Sequence, residues 1–300
     1  MKILANDGIS QNAIEILTKA GYNVITTKVS QNQLIDFINK EDIKILLVRS
    51  ATQARKDLID ACPSLKLIGR GGVGMDNIDV KYAQEKGIKV INTPNASSDS
   101  VAELVFAHLF SGVRFLYDSN RNMPLEGDTL FSELKKKYAK GKELQGKTLG
   151  IIGIGRIGKS VARIALGLGM KVITYDPHHQ GVTITLSFFD GRFLDFDIPN
   201  VSKEDLLKSS DFITLHVPSQ KEPIIGEKEF NLMKDGAGII NLARGGVVDE
   251  KALLNALDEG KVAFAGLDVY ENEPTPSIKI LMHPNVSLSP HIGAATLEAQ

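Results

Sequence analysis

Four side chains able to move or hold charge stand at the ends of short apolar runs. His216 follows Phe212–Leu215, Arg244 follows Gly238–Ala243, Asp268 follows Ala263–Leu267, and His291 follows Val286–Ser289. Apolar runs of that length, separated by helical patterns, read as parallel strands whose carboxyl ends collect on one edge of a sheet. The four are therefore expected to converge. A histidine can take the proton of a hydroxyl near neutral pH. An arginine grips a carboxylate through two parallel hydrogen bonds. An acid beside the histidine would orient the ring and stabilise its protonated form. Asp268, Glu271 and Glu273 all qualify by spacing, and spacing does not choose among them. The set suits oxidation of a secondary alcohol that carries a carboxylate, a reaction that also needs a hydride acceptor.

The acceptor is indicated by Lys147–Gly158. A strand-like run, Leu149–Ile152, leads into Gly153-x-Gly155-x-x-Gly158; a helical pattern over Ser160–Met170 follows, then a second strand, Lys171–Tyr175, with Asp176 at its end. Gly153 permits the tight turn, Gly155 lets backbone approach a pyrophosphate, and Gly158 allows close helix–strand packing. The helix start offers unpaired N–H donors and a positive dipole end. Asp176 can accept from a ribose diol and would repel a 2′-phosphate, which points to NAD rather than NADP. Strand, turn, helix, strand and acid in this order outweigh a mere Gly-rich connection.

The elements that must position these residues read as an α/β chain. Strands are expected over Lys2–Ala5, Tyr22–Thr26, Ile43–Val48, Leu65–Ile68 and Lys89–Asn92, with helices over Gln11–Leu17, Gln31–Ile38 and Asp57–Ala61. Right-handed crossovers then give a parallel sheet. Arg49 and Ser50, at one strand end, form a candidate anion site against the plainer reading of a solvated arginine. Gly71, Gly72 and Gly74 could present amides as an anion nest. Val101–Phe110 is apolar nearly all round, so it is buried in a core or a subunit contact, and His108 within it reads as a packed histidine. The polar stretch Ser119–Lys142, with Lys135–Lys137, reads as an irregular solvated connection. Beyond Asp176, Asp190-Gly191 between alternating apolar residues signals a β-hairpin. His178 and His179 lack a third ligand at metal spacing, so they read as loop histidines and no metal is expected.

A chain of 300 residues suits about two domains. A net charge of -1 gives no electrostatic reason to expect nucleic acid or an anionic membrane. The single cysteine, Cys62, excludes an internal disulfide and fits a reducing cytosol. The N-terminus has no signal pattern, and no apolar run approaches the ~18 residues that span a bilayer. A cytoplasmic protein is expected.

Gly153–Gly158, Leu215–Pro218, Asn241–Gly246, Leu267–Pro274 and Pro290–Ala295 resemble the motifs of the NAD-dependent D-2-hydroxyacid dehydrogenases, and the resemblance covers almost the whole chain. It implies two Rossmann-like, doubly wound parallel-sheet domains with a cleft between them. Residues 1–96 with 284–300 would form a discontinuous substrate domain, and 97–283 the NAD domain. The catalytic set it implies is Arg244 on the substrate carboxylate and carbonyl, His291 as acid/base, and Glu273 holding the imidazole. Asp268 would face the nicotinamide amide. Val73, Arg156, Ile157, Asp176, His216, Val217 and Pro218 would line NAD with the three glycines, as would Leu242, Ala243, Gly293 and Ala294; Arg244 and His291 would touch it as well. Arg49, Ser50, Gly72, Val73, Gly74 and Asn77 would contact substrate with Arg244 and His291.

Within the family, Val48–Thr52, Arg70–Asp79 and Asn92–Asn95 look most like the branch that oxidises 3-phosphoglycerate at the start of serine synthesis. The substrate would then be a phosphorylated 2-hydroxy acid, with cations at Arg49 and Arg244. Relatives acting on glyoxylate, hydroxypyruvate or D-lactate share most of these motifs. NAD(H)-sensing corepressors also resemble the family and keep the catalytic three, which makes a sensor the alternative of another class. A homodimer through the NAD domain is expected by the same analogy. Two departures stand out: the segment after Asp176 is longer and more strand-like than usual, and the sequence stops at Gln300 without a regulatory domain, so serine feedback is not expected.

Overall fold

Ile, Leu and Val dominate the runs that become strands, as expected for parallel strands buried on both faces. In the computed structural model, which describes residues 1–299, the chain forms two compact units, Met1–Ser97 with the residues from Ala294 on, and Ser98–Gly293.

In the first unit the elements run β1 (Lys2–Ala5), α1 (Gln11–Lys19), β2 (Asn23–Ile25), α2 (Leu34–Glu41), β3 (Ile45–Val48), α3 (Lys56–Ala61), β4 (Leu67–Arg70), α4 (Val80–Glu85) and β5 (Lys89–Asn92). The strands are all parallel, in the order β2-β1-β3-β4-β5. Leu4, Leu46 and Ile68 from the sheet and Leu34, Ile38 and Leu58 from the helices are fully buried in one core. The order reverses between β1 and β3, the switch point beyond which ligands bind in such sheets. Asp7 and Arg49 follow those two strands.

The second unit runs α5 (Ser98–Val113), α6 (Leu116–Glu126), α7 (Phe131–Lys137), β6 (Thr148–Ile152), α8 (Arg156–Gly167), β7 (Lys171–Tyr175), β8 (Gly181–Ser187), β9 (Phe193–Pro199), α9 (Lys203–Ser209), β10 (Phe212–Leu215), α10 (Glu227–Leu232), β11 (Ala237–Asn241), α11 (Glu250–Asp258), β12 (Val262–Leu267), α12 (Ile278–Met282) and β13 (Val286–Leu288). Its parallel sheet has the order β13-β12-β11-β10-β6-β7. Alternate residues face opposite cores: Ile213 and Ile239 join side chains of α9, α10 and α11, whereas Ile151 and Ile240 join α5 and α8. The order reverses between β6 and β10, so the loop after β6 lies at the switch point. Helix α5 packs very close to β12, since a Cβ at Gly112 would fall 2.1 Å from the Phe264 ring.

Three features differ from the sequence expectation. The connection expected to be irregular between Ser119 and Lys142 is largely helical, with Lys135–Lys137 in the last turn of α7. Only Leu134 of α7 is buried and no residue of α6 is, so neither helix carries a long apolar stripe for periodicity to reveal. Polar contacts hold them instead: the Tyr138 hydroxyl donates to Asp118 at 2.8 Å, and Lys137 pairs with the same carboxylate. Second, β13 pairs in parallel with β12. The return to the first unit therefore comes at Ala294, ten residues after the expected 284 (294 − 284). Third, turns follow Gly293 where a helix is expected, and Thr296 Oγ1 accepts from the Ala299 amide as an N-cap does.

The hairpin expected after Asp176 is present as β8 and β9, paired antiparallel from Gly181↔Pro199 to Ser187↔Phe193. Gly191, at φ 83°, supplies the left-handed residue of its loop. Ile184 and Ile198 anchor its base in the α8 core, and burying each contributes roughly 1.5–3 kcal/mol.

Candidate active site

The glycine loop is shaped by close approaches. Gly153 has φ 91°, and a Cβ there would meet the His216 carbonyl at 2.5 Å; one at Gly158 would meet the Gly153 carbonyl at 2.3 Å. Gly155 differs, because a Cβ there would meet nothing within 4 Å. It caps α8 without a side-chain hydrogen bond, which leaves the first amides of the helix turned to an open, exposed surface. That combination fits a pyrophosphate on the helix dipole.

Asp176 is buried beside this loop. Its carboxylate accepts from the Ile154 amide at 3.0 Å and the His178 amide at 2.9 Å, and His179 Nδ1 lies 3.2 Å away. Burial pushes its carboxyl up, but the His178 and Ile154 amides and the His179 ring outweigh that and hold it below the usual range. The acid expected to meet a ribose thus also holds the turn. Asp176→Ala is expected to weaken NADH binding about 10–100-fold, the loss of one to two charge-assisted bonds, and to shrink the preference over NADPH. Fluorescence titration with both nucleotides checks this; unchanged affinity for each would remove Asp176 from the site.

The carboxyl ends of β10 to β13 carry the remaining candidates. His216 ends β10 with Nε2 3.0 Å from Thr214 Oγ1, while its enclosed Nδ1 has no partner among the described residues. Burial pushes this ring down to about 3, which disfavours its charged form. Val217 packs over the glycine loop, and Pro218 is exposed. After β11, Leu242 and Ala243 are buried, and Arg244 Nη1 donates to the Ala243 carbonyl at 2.6 Å. Asn241 fixes this turn by donating to the Arg244 carbonyl at 3.0 Å and accepting from the Ala243 amide at 3.1 Å. Gly245 lets the turn press on the next loop, since a Cβ would sit 1.9 Å from the Tyr270 carbonyl oxygen.

That next loop follows β12. Asp268 is 1% exposed, and its carboxylate accepts from Ser289 Oγ at 2.6 Å and from the Ile292 and Gly293 amides at 2.8 Å each. Glu273 accepts from the Tyr270 amide at 3.0 Å through Oε1, and its Oε2 lies 2.7 Å from His291 Nδ1. Among the three acids that spacing allowed, Glu273 is the one that meets the histidine. His291 adopts φ 55°, a left-handed conformation uncommon outside glycine, in a partly exposed position that leaves Nε2 on the far side of the ring from the glutamate. Glu271 serves elsewhere: it accepts the Glu250 amide at 3.0 Å, while Glu250 accepts the Glu271 amide at 2.9 Å. Burial pushes the Glu250 carboxyl up.

In the first unit, Asp7 organises the candidate substrate loops. Its carboxylate accepts from the Arg49 amide at 2.7 Å and the Thr52 amide at 3.0 Å. Arg49 is half-buried and Ser50 exposed. Asn77 is buried and donates to the Arg49 and Thr52 carbonyls, so its amide acts as a clamp between strand ends. The Gly71 and Gly72 amides already donate to Val48 and Thr93, and an anion nest here rests on Val73 and Gly74. Asp7, Asn241, Tyr270 and Ser289 were not singled out from the sequence. Asp7, Tyr270 and Ser289 act through partners distant in the chain, and Asn241 through main-chain groups two and three residues on, neither of which spacing reveals.

Residues 106–293 match the family model described as D-isomer specific 2-hydroxyacid dehydrogenase, NAD binding domain. The chain belongs to that family. Its second unit is the family's NAD-binding domain, and the family is one of oxidoreductases. The chain is 43% identical over 302 residues to D-3-phosphoglycerate dehydrogenase of Methanocaldococcus jannaschii, covering 100% of this chain and 55% of that protein. It is also 43% identical over 305 residues to hydroxypyruvate reductase of Thermotoga maritima, covering 100% of this chain and 93% of that one. A glyoxylate reductase crystal structure from Paecilomyes thermophila superposes with TM-score 0.82 at 33% identity, over 99% of this chain and 90% of that one. The chain thus spans about half the length of the phosphoglycerate dehydrogenases it matches. No helix among the described residues is long and apolar enough to cross a membrane.

Proposed function

We propose that the chain oxidises a D-2-hydroxy acid with NAD, and that its substrate is 3-phospho-D-glycerate, giving 3-phosphohydroxypyruvate at the start of serine synthesis. The observation that carries the reaction is the 2.7 Å contact between His291 Nδ1 and Glu273 Oε2, on a loop whose next two amides are held by Asp268. NAD, when bound, supplies the hydride acceptor. Gly155, Arg156 and the open start of α8 would hold its phosphates, with Asp176 at the ribose. Asp268 already accepts three hydrogen bonds, and a carboxylate has about four acceptor positions, which leaves about one for the nicotinamide amide. Arg244 would grip the substrate carboxylate through its fork. His291 Nε2 would take the hydroxyl proton, with Glu273 fixing the tautomer and stabilising the ring once charged. Oxidation requires the neutral ring, so its rate should rise toward alkaline pH, and reduction of the oxo acid should do the reverse.

The substrate reading draws on Arg49 and the Val73–Gly74 amides as ligands for a phosphate, and on the phosphoglycerate dehydrogenases among the relatives. The hydroxypyruvate reductase at equal identity keeps an unphosphorylated substrate open. A panel of 3-phosphoglycerate, glycerate, D-lactate and glycolate with NAD and NADP decides between them. The highest kcat/KM is expected for 3-phosphoglycerate with NAD, and Arg49→Ala should lower it about 10–100-fold with little effect on glycerate. Preference for glycerate or glycolate would replace the substrate. Tight NADH binding without turnover of any member would favour the sensor. A cytoplasmic homodimer through the second unit belongs to this reading, and Leu116, Leu125 and Phe131 are exposed apolar side chains that such a contact could cover.

A further inference from the structure

We infer that His108, buried in α5, is a positioning residue for the loop that carries His291, acting through Ser289 and the carboxylate of Asp268. The inference rests on the reading of His291 as acid/base. His108 Nε2 lies 2.9 Å from Ser289 Oγ, and its Nδ1 lies 2.8 Å from Ser287 Oγ. Ser289 Oγ lies 2.6 Å from Asp268 Oδ1, and Asp268 accepts the Ile292 and Gly293 amides at 2.8 Å each. These are the two amides directly after His291.

The directions of these bonds follow from counting protons. A serine hydroxyl has one proton to give, and a carboxylate only accepts. Ser289 therefore donates to Asp268 and accepts from His108, so the His108 proton sits on Nε2. The bare Nδ1 then accepts from Ser287. In the opposite tautomer, Nε2 and Asp268 would compete for one proton, leaving a buried acceptor unsatisfied. A charged ring is disfavoured separately, because His108 is 4% exposed and burial lowers its pKa against a weaker opposing pull from Asp268. The ring also has one place to sit. A Cβ at Gly266 would fall 2.7 Å from the His108 Cβ, so β12 has a glycine where the histidine crosses it.

The mechanical consequence falls on His291. A non-glycine residue at φ 55° is strained and persists only where its neighbours over-determine it. Asp268 supplies that constraint at Ile292 and Gly293, and the His108–Ser289 pair fixes where the Asp268 carboxylate points. The role for a lone apolar-helix histidine is thus to hold the loop of another histidine in register with Glu273.

Two measurements test this. In protein labelled with 15N-histidine, long-range 1H–15N correlation should show His108 neutral with its proton on Nε2 near pH 7; the Nδ1 tautomer or a charged ring would overturn the proposal. In parallel, His108→Leu removes the donor and His108→Gln restores one. His108→Leu should lower kcat about tenfold, the equivalent of one lost hydrogen bond. His108→Gln should recover most of the loss, and adding Ser289→Ala to His108→Leu should cost little more, as expected for residues acting in one chain. Wild-type kcat in His108→Leu would overturn the proposal, as would equal loss in both variants tracking their melting temperatures. If the wild type turns over no 2-hydroxy acid, the acid/base reading fails on its own. Positioning is then judged by amide exchange, which should quicken at Ile292 and Gly293 in His108→Leu; unchanged protection there would overturn it.

Discussion

His291→Gln is expected to lower kcat about 10²–10⁴-fold, the usual contribution of a positioned general acid–base, while NADH binding stays near that of the parent. Glutamine keeps the length and a hydrogen-bonding group to meet Glu273 but cannot carry a proton through the reaction. The separation of effects follows from the site's construction. Among the described residues the His291 ring meets Glu273, and Asp268 holds the loop through the amides of Ile292 and Gly293, which the substitution leaves in place. Steady-state kinetics with NADH titration on the same preparation checks both parts. More than about a tenth of parental kcat would take the proton-carrying role from His291, since that is less than one hydrogen bond's worth of barrier.

Arg244→Lys is the second large effect expected, a fall in kcat/KM of about 10–10²-fold. The substitution keeps the charge and removes the planar fork. The fork adds a second charge-assisted bond, worth roughly 1.5–3 kcal/mol, which that factor expresses. Asn241 clamps the main chain of this turn at both Ala243 and Arg244, so the backbone should hold its course without the guanidinium. Kinetics on a 2-hydroxy acid with and without its carboxylate esterified tests the assignment. The parent should lose activity on the ester and the lysine variant should discriminate less; equal discrimination in the two would place the carboxylate elsewhere.

The parts legible in the sequence were those in which one stretch carries its own physics. Gly153, Gly155 and Gly158 announce a turn, an open approach and a close packing; Gly153 has φ 91°, a Cβ at Gly155 would meet nothing within 4 Å, and one at Gly158 would meet the Gly153 carbonyl. Asp190-Gly191 announced a hairpin that β8 and β9 form. Helices α6 and α7 stayed hidden because they bury almost nothing. The choice of Glu273 over Asp268 and Glu271 was open by spacing, since all three lie on one short loop and only its path separates them. His108 read as packing because an apolar helix does not reveal that two serines 179 and 181 residues away meet its ring.

Glu250 and Glu271 bear on how the site fails as well as how it works. Each carboxylate accepts the other's amide, with Glu250 at the start of α11 and Glu271 two residues from the glutamate that meets His291. Separating the arginine turn from the glutamate loop would break both bonds at once and leave two charged acceptors and two amides without partners. Local opening should therefore be cooperative, with the two loops exchanging their amides with solvent at one common rate. Damage to either should then reduce the fraction of competent molecules before it alters the chemistry of those that remain.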